Sequence, residues 1–286
     1  MVIVRLHGGL GNQMFQYAVG KSLSSKLGVP LGLDIRDLTK GETTNDFTFR
    51  KYELNYFSIE GEVFLSSPSF LGGFFFKYFS KYKRYVEPSF YYDSSFNKLK
   101  DNVYLDGFWQ SEKYFNNIRS ELVNDFQINK PFSLSEYNCN LINRIQSINS
   151  VSLHIRRGDY VSNSEAAQVH GVCSLEYYFL AIEYILNYTE NPKLFIFSDD
   201  ILWAKDNFDH LNLEIEFVEG NLGDDSYIDL HLMRLCKHNI IANSTFSWWA
   251  AWLNQNSSKI VIAPKTWFNS GSIDSRDLIP PNWIRL

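Results

Sequence analysis

The chain has 286 residues, 45% of them apolar and 21% charged, an ordinary composition for a soluble globular protein of one large domain or two small ones. The net charge of -5 gives no general pull toward nucleic acid or an anionic membrane, although local basic groups can still hold phosphates. Cys139, Cys173 and Cys236 are spaced too widely for a zinc or redox motif and read as buried small residues of a reducing compartment.

Val2 to Leu6 is a short β-rich run. His7-Gly8-Gly9-Leu10-Gly11-Asn12 follows, and Met14, Phe15, Ala18, Val19, Leu23 and Leu27 then recur at helical spacing. Leu31 to Ile35 reads as a second strand, so the chain opens as strand, glycine turn, helix, strand, which implies parallel pairing. The opening apolar run is too short for a signal peptide, and no run is long enough to span a bilayer. A soluble cytoplasmic protein is expected. Residues 40–60 are polar and irregular. Residues 64–92 carry Phe75, Phe76 and Phe79 with Lys77 and Lys81, and read as a helix packed on the core. A wall of an acceptor cleft or a membrane-facing patch is the other reading. A strand is expected at Val103–Leu105, a helix from about Ser111 to Phe126, and a domain boundary within 130–150.

The second half alternates regularly. Strands are expected at Val151–Ile155, Lys193–Phe197, Leu213–Val218, Asn239–Ala242 and Lys259–Ala263. Helices are expected at Leu175–Tyr188, Ser226–Lys237 and Ser247–Leu253. That rhythm is an open parallel sheet covered on both faces. Ligands of such sheets sit beyond the C-terminal ends of the strands, and the informative polar residues fall there.

The glycine turn is an incomplete dinucleotide fingerprint, because Met14 stands where the last glycine belongs, and no Gly-Lys-Ser/Thr follows for a P-loop. The backbone N–H groups of Gly9 and Gly11 still suit an anion or a sugar hydroxyl network. Asn12 either caps the helix or faces a ligand. His154-Ile155-Arg156-Arg157-Gly158-Asp159-Tyr160 is the sharpest local signal. Adjacent arginines repel unless paired, so Asp159 is read as a partner for one and a phosphate as the partner of the other, a purely structural Arg–Asp network being the other reading. Asp199 and Asp200, at the end of the Lys193 strand, are adjacent carboxylates that face different ways. One is read as a partner of a nucleotide's base or ribose and the other as a helix cap. They lack the spacing of a metal-binding Asp-x-Asp pair, and no metal is expected. Asn243-Ser244-Thr245-Phe246 precedes a helix start, where hydroxyls and N–H groups form a phosphate seat or a simple cap. Trp248, Trp249 and Trp252 cannot all face one way, so at least one belongs to the core. His231 reads as structural.

LHGGLGNQMFQYA, HIRRGDY and NSTFSWWAAWL, in this order, resemble the bacterial α-1,2-fucosyltransferases of glycosyltransferase family 11 over essentially the whole chain. The resemblance implies an α/β, GT-B-like fold of two Rossmann-like domains facing across a cleft. These are expected as an acceptor-side domain over 1–145 and a GDP-sugar domain with the C-terminal tail over 146–286. It implies inverting transfer from GDP-β-L-fucose, with no cofactor or divalent cation, to the 2-hydroxyl of a terminal galactose in an oligosaccharide or lipid-linked glycan; the alternative is a GDP-fucose transferase of another linkage, or a nonenzymatic nucleotide- or glycan-binding protein. Arg156 and Arg157 are implied at the donor diphosphate, with His154 and Asp159 in the same motif. The 244–247 segment is implied at the GDP moiety and the glycine turn at the cleft. Asp159, Glu165 and His154 are the candidate bases, beside a reaction that needs none. The family also implies work at the cytoplasmic face of a bacterial envelope, with peripheral membrane association as one reading.

Overall fold

A computed structural model describes residues 1–39, 41, 49–64, 81–129, 135–158, 168, 171–221, 223–269 and 273–286. The chain divides into two α/β units. The first comprises Met1–Lys130 and Ile273–Pro280, the second Pro131–Ser272 and Pro281–Leu286.

The first unit is built on a five-stranded sheet of β1 (Val2–Arg5), β2 (Leu31–Asp34), β3 (Glu62–Phe64), β4 (Lys83–Val86) and β5 (Val103–Asp106). Its order is β3-β2-β1-β5-β4, and every pairing is parallel. β1 is central, with Val2 opposite both Leu31 and Val103. Val2, Ile3 and Val4 are fully buried, which is why this strand reads as a continuous apolar run rather than an alternation. Helix α1 (Leu10–Leu27) crosses from β1 to β2. It stops at Gly28, whose φ of 64° is the left-handed conformation that glycine adopts freely, and whose N–H closes on Ser24 and Ser25 carbonyls.

The second unit holds a six-stranded sheet of β6 (Ser150–Ile155), β7 (Lys193–Ser198), β8 (Ile215–Phe217), β9 (His238–Ile240), β10 (Val261–Ala263) and β11 (Ile284–Arg285). Its order is β11-β10-β9-β6-β7-β8, again all parallel. The polar residues alternating along β6 are not solvent-facing as an alternation suggests. Ser150, Ser152 and His154 are buried like Val151, Leu153 and Ile155, because helices cover both faces of a central parallel strand. Ser152 Oγ is met by Asn239 Nδ2 at 2.7 Å.

Several elements depart from the expectations. The helix expected over 111–126 is two 3-10 turns, Glu112–Tyr114 and Asn116–Ile118, followed by the short α2 (Arg119–Asp125). Helix α3 (Glu136–Ser147) packs with the second unit. Arg144 pairs with Glu216 at 2.5 Å, and Asn138 bonds to Asn221 at 2.8 Å. The contacts therefore divide the chain ahead of this helix rather than within it. The expected helix over 64–92 ends in strand β4, and its residues 65–80 lie outside the described residues. Helices α4 (Leu175–Tyr188) and α6 (Ser226–Leu235) stand where expected, and α5 (Ile201–Phe208) is additional. In α7 (Thr245–Leu253), Trp248, Trp249 and Trp252 are all buried. Trp248 and Trp252, four apart, share one face and Trp249 leaves another, and both faces find core, the rings packing on one another and Trp248 on Trp283.

Candidate active site

Each sheet has one point where strand order reverses. In the second unit, β6 leads outward to β7 and β8, and the chain then returns to lay β9 on the other side of β6. The C-terminal ends of β6 and β9 at such a reversal are where open parallel sheets bind their ligands. The sequence motifs converge on those strand ends. His154 is the penultimate residue of β6, and Arg156 and Arg157 follow it. Asp199 and Asp200 leave β7, and Asn243 to Phe246 leave β9 and begin α7.

Arg156 Nη1 lies 2.7 Å from Asp199 Oδ2. Arg157 Nε donates to Asp200 Oδ2 at 3.1 Å, and its main-chain N–H donates to Asp199 Oδ1 at 2.8 Å. The neighbouring strand thus supplies a carboxylate for each arginine. Asp159, expected to pair with one of them, lies outside the described residues, as does Glu165. Asp200 also caps α5, its Oδ1 accepting from the Trp203 N–H at 3.2 Å. Both of its oxygens are engaged within the chain.

His154 is 6% exposed, and its ring lies 5.7 Å from that of Phe246. Burial lowers its pKa to about 4; nearby Asp199 opposes this and Arg156 adds to it. The imidazole is therefore neutral at physiological pH. Among the described residues its buried Nδ1 has no hydrogen-bond partner, and a buried polar atom left so calls for an explanation such as a ligand or a catalytic role. Ser244 occupies the N-cap of α7 without capping through its hydroxyl, and the first turn has no acid. That helix end presents N–H groups and a positive dipole to a ligand or to water. Asn243 has a structural position. Its Nδ2 donates to the carbonyls of Gly171 and Trp267, and its Oδ1 faces Cys173 Sγ.

In the first unit the strand order reverses between β1 and β5, and the glycine turn leaves β1 there. Gly8 has φ of 76°. Gly9 is the N-cap of α1, so Asn12, already inside the helix, does not cap it. Asn12 Oδ1 accepts instead from Gln110 Nε2 at 3.0 Å. Gly11 is buried in the first helical turn. Gln16 ties the two loops together: its Oε1 accepts the His7 N–H at 2.9 Å, and its Nε2 donates to the Gly107 carbonyl at 3.3 Å. His7 packs edge-on against Phe108 at 4.7 Å. Burial lowers its pKa and the Arg5 charge adds to this. Glu87, just beyond β4, accepts the N–H groups of Phe108 at 2.7 Å and Trp109 at 3.0 Å. Burial still pushes its pKa up to about 7 against those two bonds. Sequence reasoning passed over Gln16, Glu87, Phe108 and Gln110. The available signals were Gly107 immediately after an apolar strand and the amide residues spaced through LGNQMFQ.

Among the described residues, no group of three or more His, Cys, Asp or Glu side chains could hold a metal ion, and no helix is long and apolar enough to cross a membrane.

Two all-parallel α/β units, with paired arginines at a strand end of the second, are the architecture of a GT-B glycosyltransferase. The fold matches that of the fucosyltransferase NodZ from Bradyrhizobium with a TM-score of 0.52, at 16% identity, over 87% of this chain and 91% of that one. Residues 1–286 match the glycosyl transferase family 11 profile, and the chain belongs to that family. It is 37% identical to an alpha-1,2-colitosyltransferase of Escherichia coli over 100% of this chain and 99% of the relative. It is 35% identical to the O-antigen biosynthesis glycosyltransferase WbnK of Escherichia coli over 98% and 99%.

Proposed function

We propose that the protein transfers L-fucose, with inversion, from GDP-β-L-fucose to the 2-hydroxyl of a terminal galactose on an oligosaccharide or lipid-linked glycan. The observation that carries this reading is the Arg156–Arg157 pair at the end of β6, the strand that pairs with β9, from whose end α7 begins. In the proposed reaction the acceptor oxygen attacks the anomeric carbon as the bond from that carbon to the β-phosphate oxygen breaks. The electron pair stays on the departing GDP. Arginine forks and helix N–H groups suit the charge that grows on that phosphate, so the reading needs no divalent cation. The second unit takes the GDP-sugar and the first, through the turn bearing Gly9, Gly11 and Asn12, takes the acceptor. Ser244, Thr245 and Phe246 belong to the phosphate seat. Asp199 and Asp200 hold the arginines, a role their distances support better than contact with base or ribose. Neutral His154, whose buried Nδ1 has no hydrogen-bond partner among the described residues, joins Asp159 and Glu165 as a candidate to take the acceptor proton. The reading places the work at the cytoplasmic face of a bacterial envelope.

One comparison favours a second donor. The 37% identical relative is named for colitose, which is L-fucose lacking the 3-hydroxyl. The test is turnover with EDTA present, using lactose and either GDP-fucose or GDP-colitose, with the product linkage read by NMR. An α-1,2-fucosylated galactoside bears out the main reading. Turnover of GDP-colitose alone moves the assignment to the second donor. Absence of turnover, donor hydrolysis and GDP binding together sinks both.

A further inference from the structure

The first turn of α5 carries a residue that none of the motifs includes. Trp203 is half-buried, and the Arg157 guanidinium carbon sits 4.1 Å from the centroid of its ring. The indole also packs edge-on against Phe208, which is fully buried and 6.3 Å away. Its main-chain N–H is the group that Asp200 Oδ1 caps at 3.2 Å, while Asp200 Oδ2 takes Arg157 Nε at 3.1 Å. Asp199 Oδ1 accepts the Arg157 main-chain N–H at 2.8 Å. The guanidinium is therefore located by the indole ring beneath it, by its Nε and by its own backbone. The Nη edge, which bears four of its five donors, is the part none of these contacts uses.

A free arginine side chain samples many rotamers, and a diphosphate that binds it must overcome that freedom. A guanidinium already flattened on an aromatic face loses less on binding and presents its fork in one plane. We propose that Trp203 is a positioning residue for donor binding. Its indole face, with the Asp200 carboxylate that caps its helix turn, holds Arg157 so that the Nη edge is available to the diphosphate. This rests on Arg157 binding the donor phosphate, as proposed above.

The test separates the two claims. Donor and acceptor are varied independently in steady-state assays, and GDP affinity is read by calorimetry. The variants are Trp203→Leu, Trp203→Phe, Arg157→Ala, Arg157→Lys and the double variant Arg157→Lys/Trp203→Leu. Trp203→Leu is expected to raise the donor KM and the GDP Kd about tenfold, the middle of the cation–π range, with the acceptor KM unmoved. Trp203→Phe, which keeps a π face, recovers most of the loss. In the Arg157→Lys background, where no flat guanidinium remains, Trp203→Leu adds less than about twofold. Trp203→Met, apolar and without a π face, carries the same expectation as Trp203→Leu if that variant lowers Tm. Donor KM and GDP Kd within twofold of the native values in both Trp203→Leu and Trp203→Met overturn the inference. If Arg157→Ala itself leaves GDP binding intact, the donor-site reading fails and takes this inference with it. Loss in Arg157→Ala without loss at Trp203 sinks the positioning role alone.

Discussion

Gly8 and Gly9 are adjacent, yet the structure assigns their lack of a side chain to different causes, and a pair of alanine substitutions separates them. Gly8 has φ of 76°, and a Cβ built on it lies 2.7 Å from Asn12 Nδ2. Alanine there costs about 1–2 kcal/mol for the left-handed backbone. Displacing Asn12 from Gln110 costs roughly 1 kcal/mol more. The sum, about 2–3 kcal/mol, lowers the Tm of the first unit by roughly 5–10 °C. Gly9 has φ of -75° and ψ of 175°, open to any residue, and a Cβ there meets nothing within 4 Å. Alanine is a poorer N-cap than glycine by about 0.5–1 kcal/mol. The restriction it places on the unfolded chain returns about 0.4–1 kcal/mol. Stability should be unchanged within about 0.5 kcal/mol. Nothing in the fold therefore requires glycine at position 9, and any requirement comes from what approaches it. If the turn faces a substrate, Gly9→Ala lowers kcat/KM with Tm intact. Gly9→Val lowers it further, by roughly 5- to 150-fold for the 1–3 kcal/mol of a filled space. Calorimetry and initial rates on the three variants make the comparison. A Gly9→Val enzyme with native kcat/KM refutes the substrate-facing role. A Gly9→Ala Tm as low as that of Gly8→Ala refutes the structural reasoning.

Arg157→Ala should raise the donor KM by roughly 10- to 150-fold, the value of a charge-assisted bond to phosphate of about 1.5–3 kcal/mol. Its partly exposed pair with Asp200 contributes at most about 1 kcal/mol to stability, so a large fall in Tm would point to a structural role instead. His154, held neutral by burial with its pKa lowered to about 4, contributes stability that is fully present above its free value of 6.5 and is lost as pH falls from 6.5 toward 4. The shift corresponds to about 3 kcal/mol. Urea unfolding of His154→Gln between pH 7.5 and 4.5 should show a shallower loss than the native protein. Part of the slope will remain, because His231 is lowered by burial in the same direction to about 4. An unchanged slope refutes the assignment. Trp252→Ala removes a fully buried ring that stacks on Trp248 at 6.1 Å and should cost about 3–5 kcal/mol, read as a fall in the urea midpoint. A smaller loss would mean that the tryptophan cluster collapses into the space.

Much of this protein is legible without coordinates. The apolar runs VIVR and LGLD with a helical period between them mark a parallel βαβ unit, and the regular alternation after residue 150 marks a second one. Runs that bury both faces of a strand carry their own signal. Motif residues could be placed at strand ends because strands and turns are local in sequence. The short elements could not be read so easily. β3 and β4 are three and four residues long with exposed positions, and they are strands because β2 and β5 offer them an edge to pair with. The arginine partners were equally hidden. Asp159 is two residues from Arg157, and sequence distance favours it. The carboxylates found are more than forty residues away, brought alongside because β7 pairs with β6 in register, His154 opposite Phe197 and Ile155 opposite Ser198. Trp203 meets Arg157 by the same route. The sequence by itself determined which residue types were available and at which strand ends they lie. Only the tertiary structure decided which of them meet, because strand order and register are set by packing between distant segments, which no local pattern encodes.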